Sequence, residues 1–283
     1  MRCSVSCSRF LADSLRSLCL LALLLFVSGC GFQTYEKRLE ETKKYYAYLE
    51  KIDSNLAPAW KDGPIDELRV PMQFRPIRKP PQVKNEDGEL VDDPVDPRQP
   101  NYISLELPGL LGTWEAPFDI VVGEKKQPRK GYIYVVSNYS MFNSELASQA
   151  PDFMRTLLGT ISDRLSLPPV DLAKAERELF PKIKADAYTA QNTFDVFHFQ
   201  SDELLVDGVP YTIDAYTNLQ KDLQVDVLLV LPVGMDAQAK MFERVPLMLE
   251  RLKIDPKKRP SRAGGKAAPG AATPAPAAPA TGF

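Results

Sequence analysis

Hydrophobic and polar positions change their spacing several times along this chain, and each change marks an element. Residues 18–27 are an unbroken apolar run, about half the roughly 20 residues that a helix needs to span a hydrocarbon core. Arg2, Arg9 and Arg16 precede it, giving the basic start and short apolar centre of a cleaved signal segment. Further on, Tyr35, Leu39, Thr42, Tyr46, Leu49 and Leu56 stand three and four apart and line one narrow face of a predicted helix within 30–57. Glu36, Glu40 and Glu41 precede Lys37, Lys43 and Lys44, and Glu40 and Glu41 lie three or four residues ahead of Lys43 and Lys44, in the order that supports a helix. The stripe is short for a coiled coil. It is expected to pack on its own domain or on a partner, with the former favoured. Tyr45 and Tyr48 lie off the stripe, where ring and hydroxyl suit a membrane interface.

The periodicity then stops. Twelve prolines fall between Pro58 and Pro128, and each removes a backbone donor and disfavours helix before it. Residues 58–104 therefore read as an extended strap or linker. Its Trp60, Leu68, Val70, Met72, Phe74 and Ile77 are too apolar for a purely solvated spacer, so parts of it are expected against the domain surface.

Regular patterns return over 105–255, the predicted globular domain. Residues 118–122 and 132–137 alternate as strands joined by a polar, glycine-bounded connection, which predicts a hairpin. Pro151 can open a helix carrying Phe153, Met154, Leu157, Leu158, Ile161 and Leu165, and a weaker helical piece is expected over 170–179. Three strands follow, at 194–200, 209–216 and 225–231, separated by loops short enough for an antiparallel meander. Finally Asp236 can cap a helix holding Met241, Phe242, Val245, Met248, Leu249 and Leu252, kinked by Pro246. Strands followed by packed helices make an α+β fold with an antiparallel sheet.

If the meander loops are symmetric, Val196 faces Ile213, Ile213 faces Leu229 and Ala215 faces Val227, forming one apolar sheet face. His198, the only histidine, then faces Tyr211 on that side as a hydrogen-bonded core imidazole. Asp195 lies opposite Asp214 on the other face, with Asp226 diagonal to it. Clustered carboxylates hold hard cations or serve glycoside hydrolysis, although a solvated sheet edge explains three aspartates more economically.

The apolar run ends in Val27-Ser28-Gly29-Cys30, and here the chain resembles the bacterial lipoproteins, whose lipobox has that pattern. The resemblance implies cleavage before Cys30, a diacylglyceryl group on its sulfur and acylation of the new amino terminus. Several buried acyl chains make a stable membrane anchor. Gly31 stands where an aspartate causes inner-membrane retention in some bacteria, so the resemblance favours the outer membrane. Removing residues 1–29 from the 283 leaves 254.

Cysteine usage follows from that cleavage. Cys3, Cys7 and Cys19 leave with the signal and Cys30 is lipidated, so the exported domain has neither disulfide nor thiol nucleophile. With one histidine, the usual Ser-His-Asp and Cys-His pairs and multi-histidine zinc sites are not all available to it. No glycine-rich phosphate loop and no Gly-x-Ser-x-Gly elbow occurs, and Gly109 to Gly112 is only an apolar turn. The chain is thus expected to be no enzyme and to carry neither cofactor nor metal.

Charge separates the ends from the body. Residues 30–255 hold 27 basic and 36 acidic side chains, whereas 256–283 carries five basic ones and no acid. An acidic body argues against nucleic acid as a partner. The tail, rich in alanine and proline, has too little apolar surface to offset its ordering entropy and is predicted to be disordered.

The segments Gly208-Val-Pro-Tyr-Thr-Ile-Asp-Ala-Tyr216 and Val225-Asp-Val-Leu-Leu-Val-Leu-Pro232, with the closing helix over 242–254, make the domain similar to the PsbP-like superfamily of α/β sandwiches. That resemblance covers about 150 residues and is topological. It implies a non-enzymatic binding or assembly fold, since members commonly serve as accessory subunits of larger complexes. The expectation is a lipid-anchored envelope protein, an accessory or scaffolding subunit with another envelope protein as its partner. The alternatives are a small-ligand or lipid binding domain, and a hydrolase built on Asp195, Asp214 and Asp226.

Overall fold

A computed structural model describes residues 33–258, apart from 85–87, 93–94, 123–124, 185–187, 207 and 237–238. Cys30 and the residues read above as a lipobox, with most of the basic tail, lie outside the described residues. The chain divides into two units at Ser54.

In the first unit, α1 covers residues 33–55, where the three-and-four spacing places it. The stripe is uncovered at four of its six positions: Tyr35, Leu39 and Tyr46 are 63, 41 and 65% exposed, and Thr42 is exposed as well.

The second unit holds the sheets. Short strands come first: β1 (Trp60–Asp62), β2 (Ile65–Leu68), β3 (Arg75–Ile77), β4 (Gln82–Lys84) and β5 (Leu90–Asp92). The long elements follow as β6 (Leu110–Val122), β7 (Lys125–Ser137), α2 (Phe153–Arg164), β8 (Glu176–Phe180), β9 (Asn192–Val206), β10 (Val209–Gln220), β11 (Leu223–Pro232), α3 (Met241–Arg251) and β12 (Lys253–Ile254). One antiparallel sheet of seven strands runs in the order β3-β6-β7-β11-β10-β9-β8; β1, β2 and β12 form a second sheet and β4 and β5 a third. The class is α+β.

Several strands outrun their sequence patterns. The first hairpin pairs Phe118 with Arg129 and Val122 with Lys125, so the lysine-rich stretch expected as a loop is itself strand. Pro117 and Pro128 fit there because β3 flanks β6 only at 113–115 and β11 flanks β7 only at 132–137, leaving each proline a side with no ladder to serve. The meander loops are likewise tight: Val206 pairs with Val209, and Gln220 with Leu223. Gly208 (φ +75°) and Lys221 (φ +59°) supply the left-handed backbone that two-residue hairpin turns need.

One sheet face is covered by α2. Phe197 and Phe199 of β9, Tyr211, Ile213 and Ala215 of β10 and Leu228 and Val230 of β11 pack with Phe153, Leu157, Leu158 and Ile161 in one core. On the other face Val196, Val225, Val227 and Leu229 are also buried. In α3, Met241, Val245, Met248 and Leu249 are buried as the spacing predicts, but Phe242 is 90% exposed. The helix starts at Met241, so Asp236 is not its cap; Asp236 instead pairs with Lys126 at 3.0 Å. The expected helix over 170–179 is replaced by a single 3-10 turn, Leu172–Lys174, and by β8. Pairing with β9 gives residues 176–180 backbone partners that a weakly amphipathic helix does not offset.

Proline-rich residues lie in both main sheets. Arg75–Ile77 edge the large sheet. In the second, β2 lies between β1 and β12, and Glu67 accepts from Arg251 at 2.6 Å and Lys253 at 2.5 Å. Trp60 meets Trp114 edge-on at 4.9 Å, and Phe74 lies 5.8 Å from Phe118. Lys258, at the start of the basic tail, pairs with Asp66 at 2.5 Å.

Candidate functional site

The ladder decides where the chemistry-bearing side chains go, and it differs from the symmetric-loop register. Asp214 stands opposite His198, Ala215 opposite Phe197 and Thr217 opposite Asp195. Across the next ladder Ile213 meets Val230, and Thr217 meets Asp226. The cause is a bulge: from Pro210 to Thr212 on β10 the partner strand advances five residues, from Leu205 to Gln200. An odd slip exchanges the faces of a strand.

The three aspartates are therefore parted. Asp195 and Asp226 flank Thr217 on the α2 face, while Asp214 lies on the opposite face. Asp195 binds Arg177 at 3.2 Å near the sheet edge. Asp226 is completely buried and receives Gln224 Nε2 on both oxygens, at 2.9 and 2.7 Å. Burial pushes its carboxyl up to about 7; the Thr217 hydroxyl and the Gln224 amide pull the other way without prevailing. Behind it, Gln224 N–H donates to Asn138 Oδ1 at 3.0 Å, and Ser137 Oγ donates to the Gln224 carbonyl at 2.6 Å. These buried hydrogen bonds hold the start of β11 against the end of β7. Among the described residues no group of three His, Cys, Asp or Glu side chains could hold a metal ion.

His198 is not a core residue. Its side chain is 54% exposed, Nδ1 lies 2.7 Å from Asp214 Oδ1, and Nε2 lies 3.9 Å from Glu176 Oε2. Slippage of the register carried it from the expected apolar side to the other face. Tyr216 and Glu178 share that face, and burial followed by the charges of Asp214 and Glu178 pushes the Tyr216 hydroxyl above its usual range. Glu178 is held by Lys182 at 2.6 Å, so the carboxylates without a lysine or arginine partner among the described residues at this corner are Glu176 and Asp214, both beside His198.

His198 also lines the cleft that gives this corner its shape. The cleft holds about 490 Å³ and runs along residues 196–200 of β9. Residues 167–171 form its opposite wall, Glu176 and Lys174 stand at one end, and Ser162 of α2 also lines it. The Ser162 side chain is fully buried, and its Oγ has no hydrogen-bond partner among the described residues. Leu167 and Val170 pack on the α2 core, so one side of the cleft is apolar and the other carries Glu176 and His198, the latter bound from behind by Asp214. Its origin is local. β8 pairs Glu176 with Val196 and goes no further, because the preceding chain turns away through the 3-10 turn at Leu172–Lys174.

No family model matches the chain, and no curated protein is significantly similar to it.

Glu176 and Ser162 drew no attention in the sequence. Glu176 sat inside an expected helix, and Ser162 is one small polar residue on an apolar helix face. The one legible signal was the alternation of Glu176, Glu178 and Phe180, which places two carboxylates on one side of an edge strand.

Proposed function

We propose that this protein is an envelope lipoprotein, anchored through Cys30, that acts as a non-catalytic accessory or scaffolding subunit for another envelope protein. The observation that carries this reading is α1, which follows Cys30 in the sequence and leaves Tyr35, Leu39 and Tyr46 exposed along one stripe. Apolar side chains at helical spacing gain free energy only when something covers them, and a lipidated Cys30 would hold them close to the membrane surface. No helix among the described residues is long and apolar enough to cross a membrane, so in this reading attachment rests on the acyl chains. The topological resemblance to PsbP-like accessory subunits agrees with the same role.

The test is crosslinking in living cells, purification and mass spectrometry, comparing the native protein with Cys30→Ala and with Leu39→Asp. One reproducible envelope protein, lost in the first variant and depleted in the second, is the expected result. Capture of only abundant neighbours by the native protein overturns the reading. Radiolabelled palmitate entering the native chain and not Cys30→Ala is the accompanying check on the anchor.

A further inference from the structure

The seven-stranded sheet ends abruptly at its β8 side. β9 is fifteen residues long, yet β8 pairs only with residues 192–196. Residues 197–200 bond to β10 on one side, and among the described residues no strand pairs with them on the other. Four residues at about 3.3 Å each give roughly 13 Å of open ladder. Such an edge presents backbone N–H and C=O groups as a template for another strand. Here it faces the 490 Å³ cleft and not a flat surface.

Side chains at the cleft differ by face. A strand laid against 197–200 would turn alternate side chains toward the α2 face, where Phe197, Phe199, Leu167 and Val170 are apolar. The intervening ones would point to the other face, where Glu176 and Asp214 stand beside His198, while Glu178 is already held by Lys182 at 2.6 Å. Lys174 is the cation at the cleft, and it is taken by Asp171 at 3.7 Å.

We propose that this cleft binds an extended peptide segment of a partner protein, with alternating apolar and basic side chains, as an added strand on the open edge of β9. Main-chain hydrogen bonds supply the affinity, and the two unlike sides supply the choice of side chains and the register. This rests on the partner-binding reading above and names the contact through which a partner is held.

The probe is a fluorescent hexapeptide alternating lysine and valine, titrated against the full mature lipoprotein in neutral phosphatidylcholine nanodiscs. Two control peptides replace lysine by glutamate, or carry N-methyl groups on alternate backbone amides. The lysine peptide is expected to bind at least tenfold more tightly than either control and to slow hydrogen exchange at 197–200. Glu176→Lys, at an exposed position, is expected to weaken it at least tenfold with an unchanged melting curve. Equal binding of the N-methylated peptide, or unchanged exchange at 197–200, overturns strand addition; equal binding of the glutamate peptide overturns the charge preference. Glu176→Lys also enters the crosslinking experiment. A partner lost with Cys30→Ala but kept with Glu176→Lys overturns the β9 site and leaves the accessory role standing. Absence of any partner for the native protein overturns that role, while the peptide titration still decides whether the edge binds a strand.

Discussion

Asp226 is the residue whose behaviour departs furthest from its type. A carboxyl with an ordinary value of 3.8 is carried to about 7 by complete burial. Between those values the folded chain keeps a proton that the unfolded chain has released. Stability therefore falls as pH rises through that window, by on the order of 4 kcal/mol once both states are ionised. Asp226→Asn retains the polar network without the ionisation. Its melting temperature is expected to change far less between pH 4.5 and 8 than that of the native protein, and to exceed it at pH 8. A native melting temperature that holds steady or rises across that range sinks the assignment. The sequence placed Asp226 in the right strand, but its ladder partners and its burial depend on chain segments far away. Asn138, which ties the network to β7, lies 86 residues from Gln224.

At the scale of elements, local spacing predicted the strongly amphipathic helices but not the weak one over 170–179, and helix faces only in part. α3 shows the difference: Met248 is fully buried and Phe242 is 90% exposed, though both were read as core positions. Met248→Ala is expected to cost about 2–5 kcal/mol of stability by urea denaturation. Phe242→Ser is expected to stay within about 0.5 kcal/mol of the native protein; a larger loss would mean that the ring is covered in solution. Strand lengths were underestimated wherever a polar stretch was held by pairing alone. The lysine-rich residues 125–130 are strand because β6 supplies partners, and β8 is strand because β9 does. Backbone pairing of this kind leaves no apolar signature. The register of β9 on β10 was equally hidden, since it turns on a bulge and not on loop length.

On the scale of the whole molecule, the proline-rich segment is joined to the end of the chain. Glu67 of β2 holds Arg251 and Lys253, one at the close of α3 and one in β12. Burial tends to raise the Glu67 carboxyl, but hydrogen bonds from Lys253 and Arg251, with their charges, outweigh it and set it below its ordinary 4.5. This clamp stabilises the fold above that ordinary value and is lost as pH falls through the lower folded one. Glu67→Gln is expected to cost about 1–3 kcal/mol at pH 7 and much less at pH 3, measured by denaturant titration at each pH. An equal loss at both would mean that packing, and not charge, carries the effect. By itself the sequence determined the α+β class, the amphipathic helices and the strand-rich centre, because apolar spacing is a local property that each segment carries with it. The resemblance of Val27-Ser28-Gly29-Cys30 to a lipobox likewise needs no fold to be legible. Only the tertiary structure decided the register, the faces of Asp195, Asp214 and Asp226, the exposure of His198 and the open edge of β9. Each depends on which distant strand lies alongside and where the partner strand stops, and no spacing within one segment encodes either.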